Sequence, residues 1–256
     1  MLRKAWAKHM ARKPRSSIPK NAKEVVRRVT KQGFQFIECI VDGRVVGERT
    51  RNKDGVLEQE FSIKDGEMHG YAFAWYENGQ LMSQTRYVNG FEHGIAKQWT
   101  WDGQLLGTYE MRHGTGVDLW RDNLTGTLAE EHHCKDGMKE GFARWWNEDQ
   151  KTVHTEWHFK GYEYHGIQRE WNLKGRLRRG YPQYNIGGKK VTKRQYVKAC
   201  KSDPTLPKFR EKDNAPRRKL PAEYVRVPIK APRCSNCGDY VPCSEDGVCP
   251  ECDHAK

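Results

Sequence analysis

No stretch of the 256 residues approaches 18 consecutive apolar side chains, so no membrane-spanning helix is predicted. The first thirty residues carry charge but no apolar run of the kind a secretory leader needs, and a cytoplasmic address is expected. Apolar residues make up only 36% of the chain and charged residues 31%. Ordinary globular domains are about 45–50% apolar, so a single large close-packed core is not expected. Serine is scarce: there are seven, and none between residues 84 and 201, which excludes a G-x-S-x-G nucleophile elbow from that stretch. There is no H-E-x-x-H, and GGKKVT at 187–192 lacks the spacing of a phosphate loop. His132, His133 and Cys134 are adjacent, not spaced as a site. The reading is a chain without an enzyme's machinery.

Charge is present but partitioned. The net charge is +13. Residues 1–28 hold ten Lys/Arg and one acid, a balance of +9, and residues 189–233 reach +11. Residues 29–188 stand at −3, and residues 234–256 at −4. The basic character therefore describes two flanks and says little about the middle.

What is abundant is glycine, 24 residues, and it is periodic. One set falls at Gly55, Gly79, Gly103 and Gly126, a second at Gly66, Gly90, Gly114, Gly137 and Gly161, a third at Gly70, Gly94, Gly116, Gly141 and Gly166. Spacings in the first two sets are 23 or 24 residues. A leucine comes two residues after each glycine of the first set, at Leu57, Leu81, Leu105 and Leu128, and the pattern resumes at Gly175 and Leu177. Trp75, Trp99, Trp146 and Trp171 each lie five residues past a third-set glycine, and Trp120 four past Gly116. Self-similarity at such a period is the mark of a repeat architecture.

Each period reads as a β-hairpin. In residues 71–94, Tyr71, Phe73 and Trp75 alternate with Ala72 and Ala74, which is strand periodicity. Asn78-Gly79 is expected to supply the two positive-φ positions of a type I′ turn, Leu81 to Val88 the return strand, and Asn89-Gly90 a longer second turn ending at Gly94. About five such hairpins, from roughly residue 43 to 187, predict a mainly β fold: an elongated antiparallel meander of repeated hairpins. Ten strands at ~4.8 Å separation would make a ribbon of roughly 50 Å. Eight of the nine Trp lie between residues 71 and 171. The aromatic rows are either a core ladder packing repeat on repeat or a stacking platform for a partner, with Trp75, Trp99, Trp146 and Trp171 as the candidate contact residues. His69, His93, His113 and His165 also keep the period, and read as turn residues that tolerate unusual φ, not as metal ligands.

This unit, aromatic-x-x-x-Trp, then Gly-x-Leu, then Tyr-x-x-Gly-x-x-x-Gly, resembles the MORN-repeat variant of the YwqK-type family of bacterial proteins. The resemblance covers about residues 43–190, and residues 187–207 are also similar to the segment after the repeats in some members. It implies an open β-meander that serves as a protein-interaction surface, and an antitoxin-like role in which a partner toxin is bound and neutralised. MORN repeats are also linked with phospholipid membranes, but the −3 balance of residues 29–188 argues against an anionic membrane as the main target. Two departures stand out. Glu148-Asp149-Gln150 replaces the expected turn glycine, and the segment from Val117 is one residue short; both predict local irregularity within the same fold.

The flanks suggest separate modules. Residues 1–22 contain no acid, and Leu2, Trp6 and Met10 share one face of a short helix that Pro14 and Pro19 would stop. Residues 1–28 read as a solvated basic tail, or as a segment contacting nucleic acid, a membrane surface or a partner. Thr192-x-x-Gln195 is a capping box opening a helix to about Lys201 within residues 189–203, and Asp203-Pro204 ends it. Residues 204–233, with six prolines and the run Arg217-Arg218-Lys219, read as an extended basic linker.

Residues 234–256 carry Cys234-x2-Cys237 and Cys249-x2-Cys252, two knuckles separated by eleven residues. In a reducing compartment this spacing predicts a closed tetrahedral Zn2+ site in a small zinc ribbon, structural and not catalytic. Cys243 reads as a loop thiol and His254 as a lesser alternative ligand. So short a module could not bury a sufficient core, and metal binding would supply the folding free energy. The spacing leaves open whether the ribbon only stabilises or also docks a protein or nucleic acid. Two functions are compatible with these features: a non-catalytic scaffold for a partner protein, or a nucleic-acid-associated protein acting through its basic flanks and ribbon.

Overall fold

The computed structural model describes residues 14–224. The protein is mainly β, with 54% of residues in strands, arranged as successive antiparallel hairpins with one α-helix. The strands are β1 (Lys23–Val29), β2 (Gln35–Val41), β3 (Arg44–Arg51), β4 (Leu57–Lys64), β5 (Glu67–Trp75), β6 (Leu81–Val88), β7 (Phe91–Glu92), β8 (Gly94–Trp99) and β9 (Leu105–Arg112). They continue as β10 (Thr115–Arg121), β11 (Leu128–Lys135), β12 (Met138–Trp146), β13 (Val153–Lys160), β14 (Glu163–Tyr164), β15 (Gly166–Glu170), β16 (Gln183–Ile186) and β17 (Lys189–Val191), followed by helix α1 (Lys193–Ala199). The chain forms two compact units, one of residues 14–118 with 134–138, the other of residues 119–133 with 139–224.

In the first unit each strand pairs with its sequence neighbour. β1 pairs with β2 and the order runs on through β6, which pairs with both β7 and β8, and then through β9 to β10. Alternation explains which residues turn inward. On β9, Leu106, Tyr109 and Met111 are buried while Leu105, Thr108 and Glu110 are exposed. Ile37 and Cys39 on β2 and Phe73 on β5 are enclosed. Residues 16–18 pack onto the sheet: Ile18 is buried, and a Cβ at Gly47 would lie 2.4 Å from its Cδ1, so the strand can pass there only without a side chain.

The Asp-Gly pairs at 65–66 and 136–137 form the two-residue turns that their chemistry predicts, but Asp54-Gly55, Asn78-Gly79 and Asn89-Gly90 depart from expectation. The tight two-residue turns are Asp42-Gly43, Asp65-Gly66, Asn89-Gly90, His113-Gly114 and Asp136-Gly137, where both central residues have positive φ. Asn89-Gly90 joins the directly paired Val88 and Phe91. Asn78-Gly79 is different. Only Gly79 has positive φ, the paired Trp75 and Leu81 leave a five-residue loop, and Gly79 N–H bonds to Tyr76 C=O at 2.8 Å. That is the longer hairpin connection in which glycine takes the left-handed position after a closed turn. Register, and not the dipeptide, selects the turn.

The second unit continues the pattern with β12 on β13, β13 on β14 and β15, β15 on β16, and β16 on β17. At the Glu148–Gln150 departure, Gln150 itself takes the left-handed conformation at φ 54°. Its side chain bonds to both the N–H and the C=O of Leu128, which ties the loop to its neighbour and holds the residue there. The capping box is formed: Thr192 Oγ1 accepts from Gln195 N–H, and Gln195 Oε1 accepts from Thr192 N–H. Tyr196, fully buried, seats α1 on a cluster of Ile167, Tyr184 and Leu206.

Residues 204–224 are not an extended linker. Val153 N–H bonds to Pro216 C=O at 3.0 Å, Arg218 N–H to Lys151 C=O at 2.9 Å, and Thr152 bridges Arg217. The segment is docked on β13 and β15 because residues 216–218 exchange backbone bonds with residues 151–153, Asn214 C=O accepts from the Trp171 indole, and Arg218 finds a buried carboxylate. Residues 14–28, expected to be part of a basic tail, instead join the sheet: Ile18 is buried, and the strand from Lys23 pairs with β2 because its backbone completes that edge. Residues 1–13 and 225–256, with the first half of the basic segment and both cysteine knuckles, lie outside the described residues.

Candidate functional site

The hairpin tips of the first unit are joined by a row of backbone bonds. Gly90 N–H bonds to Met68 C=O at 2.9 Å, Gly114 N–H to Glu92 C=O at 2.8 Å, and Gly137 N–H to Gly114 C=O at 3.0 Å. The periodic histidines belong to this row. His69 Nδ1 accepts from Asn89 N–H at 3.4 Å and His93 Nδ1 from His113 N–H at 3.3 Å. In the second unit His165 Nδ1 accepts from Gly187 N–H at 3.1 Å. An imidazole nitrogen that accepts is unprotonated. Only His113 is a positive-φ turn residue, at 46°. The other three hold up the N–H groups of the following turn.

Beneath these tips in the first unit lies a cavity of about 210 Å3. Gly90, Gly114 and Gly137 form its rim, and Tyr87, Phe91, Glu92, Met111, Asp118 and Cys134 its wall. The rim is glycine by necessity: a Cβ at Gly114 would sit 2.3 Å from Gly137 N, and one at Gly137 3.0 Å from the Phe91 ring. Tyr87 donates its hydroxyl to Glu92 Oε1 at 3.0 Å, and Tyr109 approaches Oε2 at 3.5 Å. Tyr109 is also hydrogen bonded to Asp118. Burial, then the nearby Asp118 charge, pushes the Glu92 carboxyl above its ordinary value, although both phenols oppose the rise. Burial and the acids push both phenols upward, so they remain donors. The result is a small acidic pocket with an aromatic and thioether wall. Its electrostatics favour a cation: an entering positive charge would relieve the repulsion between two carboxyls in a partly dry site.

The four tryptophans singled out by spacing do not form one platform. Trp75 and Trp99 are half-buried in the first unit, with Trp75 packed 5.7 Å from Phe73. Trp146 and Trp171 are enclosed in the second unit at 5% and 2% exposure. Their indole N–H groups are engaged, Trp146 with Glu131 Oε2 at 3.1 Å and Trp171 with Asn214 C=O at 2.7 Å. Other rings share a face of the second unit: Trp145 lies 5.0 Å from Trp157, which lies 5.7 Å from Tyr164.

The second unit also buries a charge network. Glu156, 2% exposed, accepts from Arg144 Nε at 2.9 Å, Arg169 Nη1 at 3.1 Å and Arg218 Nε at 2.7 Å. Burial alone would raise the Glu156 carboxyl, but the hydrogen bonds and charge of Arg218, with Arg144, reverse this and leave it at about 2. Glu131 is likewise held low against burial by His133 and Arg144. With three guanidiniums on one carboxylate this is a clamp for the 204–224 segment, not an acid–base centre.

Glu92 and Asp118 escaped sequence reasoning because they stand 26 positions apart in no motif. The one available signal was the glycine row that leaves room beside them. Among the described residues no group of three or more His, Cys, Asp or Glu is placed to hold a metal ion. The expected ligands Cys234, Cys237, Cys249 and Cys252 lie outside the described residues. No family model matches the chain, and no curated protein matches it.

Proposed function

We propose that the protein is a non-catalytic repeat scaffold whose first unit binds a partner protein by receiving one of its basic side chains in the Glu92–Asp118 pocket. The observation that carries this reading is the pocket itself. At about 210 Å3 it falls below the ~300–1,000 Å3 of typical small-molecule sites, yet it has room for the end of an arginine or lysine. Its two acids, its two phenol donors held on them, and the flanking Phe91 and Met111 suit a guanidinium with its aliphatic stem. Phe91 and Met138 near the rim are 40% and 39% exposed, an apolar border for such a contact. The resemblance to YwqK-type MORN repeats supports a protein partner and suggests a toxin as its class. A zinc ribbon at residues 234–256 remains part of this proposal as a structural module.

The test is titration of the full chain with N-acetyl-arginine amide, monitored by methyl NMR at Met111, beside parallel affinity capture with wild type and Glu92→Gln/Asp118→Asn. Shifts at Met111 that the double variant abolishes, and a captured protein that it loses, are expected. Binding is also expected to strengthen as pH rises through the elevated Glu92 value. An unmoved Met111 signal, or identical capture by the variant, would overturn the reading.

A further inference from the structure

From Gly187 to Ser202 the chain has six basic residues and no acid. Lys189 and Lys190 lie on β17, Lys193, Arg194 and Lys198 on α1, and Lys201 just beyond it; all six are exposed. Lys193 pairs with Glu211 at 3.4 Å and lies 4.0 Å over the Phe209 ring. Among the described residues the other five form no ion pair.

The fold does not need most of this charge; only Lys198, in the last turn, suits the negative end of the helix. α1 has no acid in its first turn and carries Lys193 and Arg194 there, against the preference of a helix N-terminus for negative charge. Arg194 and Lys198 stand at i and i+4, and Lys198 and Lys201 at i and i+3, spacings at which like charges repel. Lysine on an edge strand deters unwanted strand pairing, and among the described residues β17 pairs only with β16, which accounts for Lys189 and Lys190. It does not account for the helix. There Tyr196 points into the core, Arg194 and Lys198 occupy the opposite face at helical spacing, and Lys201 follows in the turn after the helix. That face is held by the capping box and by the Tyr196 hydroxyl, which donates to Pro207 C=O at 2.6 Å.

We infer that the β17–α1 face is a binding site for the phosphodiester backbone of nucleic acid, contacted without base readout. An unpaired row of cations on a fixed element is the feature that displaces counterions from a polyanion. A lipid surface fits less well. An interfacial helix must bury an apolar face, and the apolar face of α1 is already turned inward, leaving Val197 at 41% exposure as its one large exposed apolar residue. This site is separate from the acidic pocket, and neither depends on the other.

The experiment measures fluorescence anisotropy of the full chain with labelled 20-base-pair duplex DNA and duplex RNA across a salt series. Wild type is compared with Arg194→Gln/Lys198→Gln/Lys201→Gln and with Arg194→Lys. The triple variant is expected to weaken binding at least about tenfold at 0.1 M salt and to flatten the DNA salt slope by about 2.7, three contacts at ~0.9 each. Arg194→Lys keeps the charge and should keep the slope. Preference for one duplex over the other identifies the natural source of the phosphates. No duplex binding by wild type, an unchanged slope in the triple variant, or retention only on phosphatidylserine vesicles would each overturn the inference. Glu92→Gln/Asp118→Asn should leave duplex binding unchanged, which separates failure here from failure of the pocket.

Discussion

Glu156 shows how one carboxylate decides where a whole segment lies. Its burial would be prohibitive for a lone charge, and three arginines meet it, one of them, Arg218, 62 residues away in sequence. Replacing Arg218 with alanine leaves Glu156 with Arg144 and Arg169, so the expected loss is about 2–3 kcal/mol, the range for a buried charge-assisted bond, read from denaturant unfolding. The pH dependence has a definite sign. The Glu156 carboxyl sits at about 2 in the fold against an ordinary 4.5, so its stabilisation is fully present above about pH 4.5 and disappears as pH falls towards 2. That shift corresponds to roughly 3 kcal/mol. With Arg218 removed the carboxyl value rises, and acid unfolding should begin at a higher pH than in wild type. His158 acts in the same direction. Burial first, together with the His165 charge, holds it below its ordinary value despite its hydrogen bond to the His165 carbonyl, so acid also works against its neutral form.

Among the elements, the hairpins were legible and only some of their turns were. Alternation in residues 71–75 and the glycine period mark strands correctly, because burying one face of a strand forces period two. The dipeptides Asn78-Gly79 and Asn89-Gly90 look alike, yet one closes a five-residue loop and the other a two-residue turn. The difference lies in which residues pair across the ladder, a long-range property that no local window contains. The same is true of residues 204–224, whose prolines resemble a linker until Glu156 and the Trp171 indole supply partners. It is true of Glu92 and Asp118, brought together only when β7 and β10 fold. The histidine period was visible, but its cause was not, since a side chain accepting from the next hairpin's backbone leaves no pattern except the spacing. This yields a prediction at the scale of the hairpin. His93→Ala removes the acceptor of the His113 N–H and should cost about 1 kcal/mol in denaturant unfolding, whereas His93→Asn, which retains an acceptor, should recover part of it.

At the scale of the molecule, charge is distributed by task. The first unit presents acid in a confined pocket, and the second exposes base on β17 and α1. The proposed zinc ribbon would add a further module at the cysteine knuckles. One zinc per chain is expected by native mass spectrometry, lost in Cys249→Ala and on chelation, with the unfolding of residues 14–224 unaffected by metal removal. A native mass without zinc would dispose of the ribbon. The spacing of four thiolates carries that expectation, since a tetrahedral site needs two sulfurs from each of two tight turns.

The bonded row of hairpin tips has a consequence for how such a chain can change length. Each tip takes its acceptor from the one before, as Gly137 does from Gly114 and Gly114 from Glu92. A single residue inserted or deleted within a strand would, unless a bulge absorbs it, break that handshake and also flip the side chains beyond it to the opposite face. Duplicating or losing a whole period would do neither. A lineage built on this arrangement therefore lengthens or shortens in full periods, while isolated insertions settle in the five-residue loops at the other ends of the hairpins.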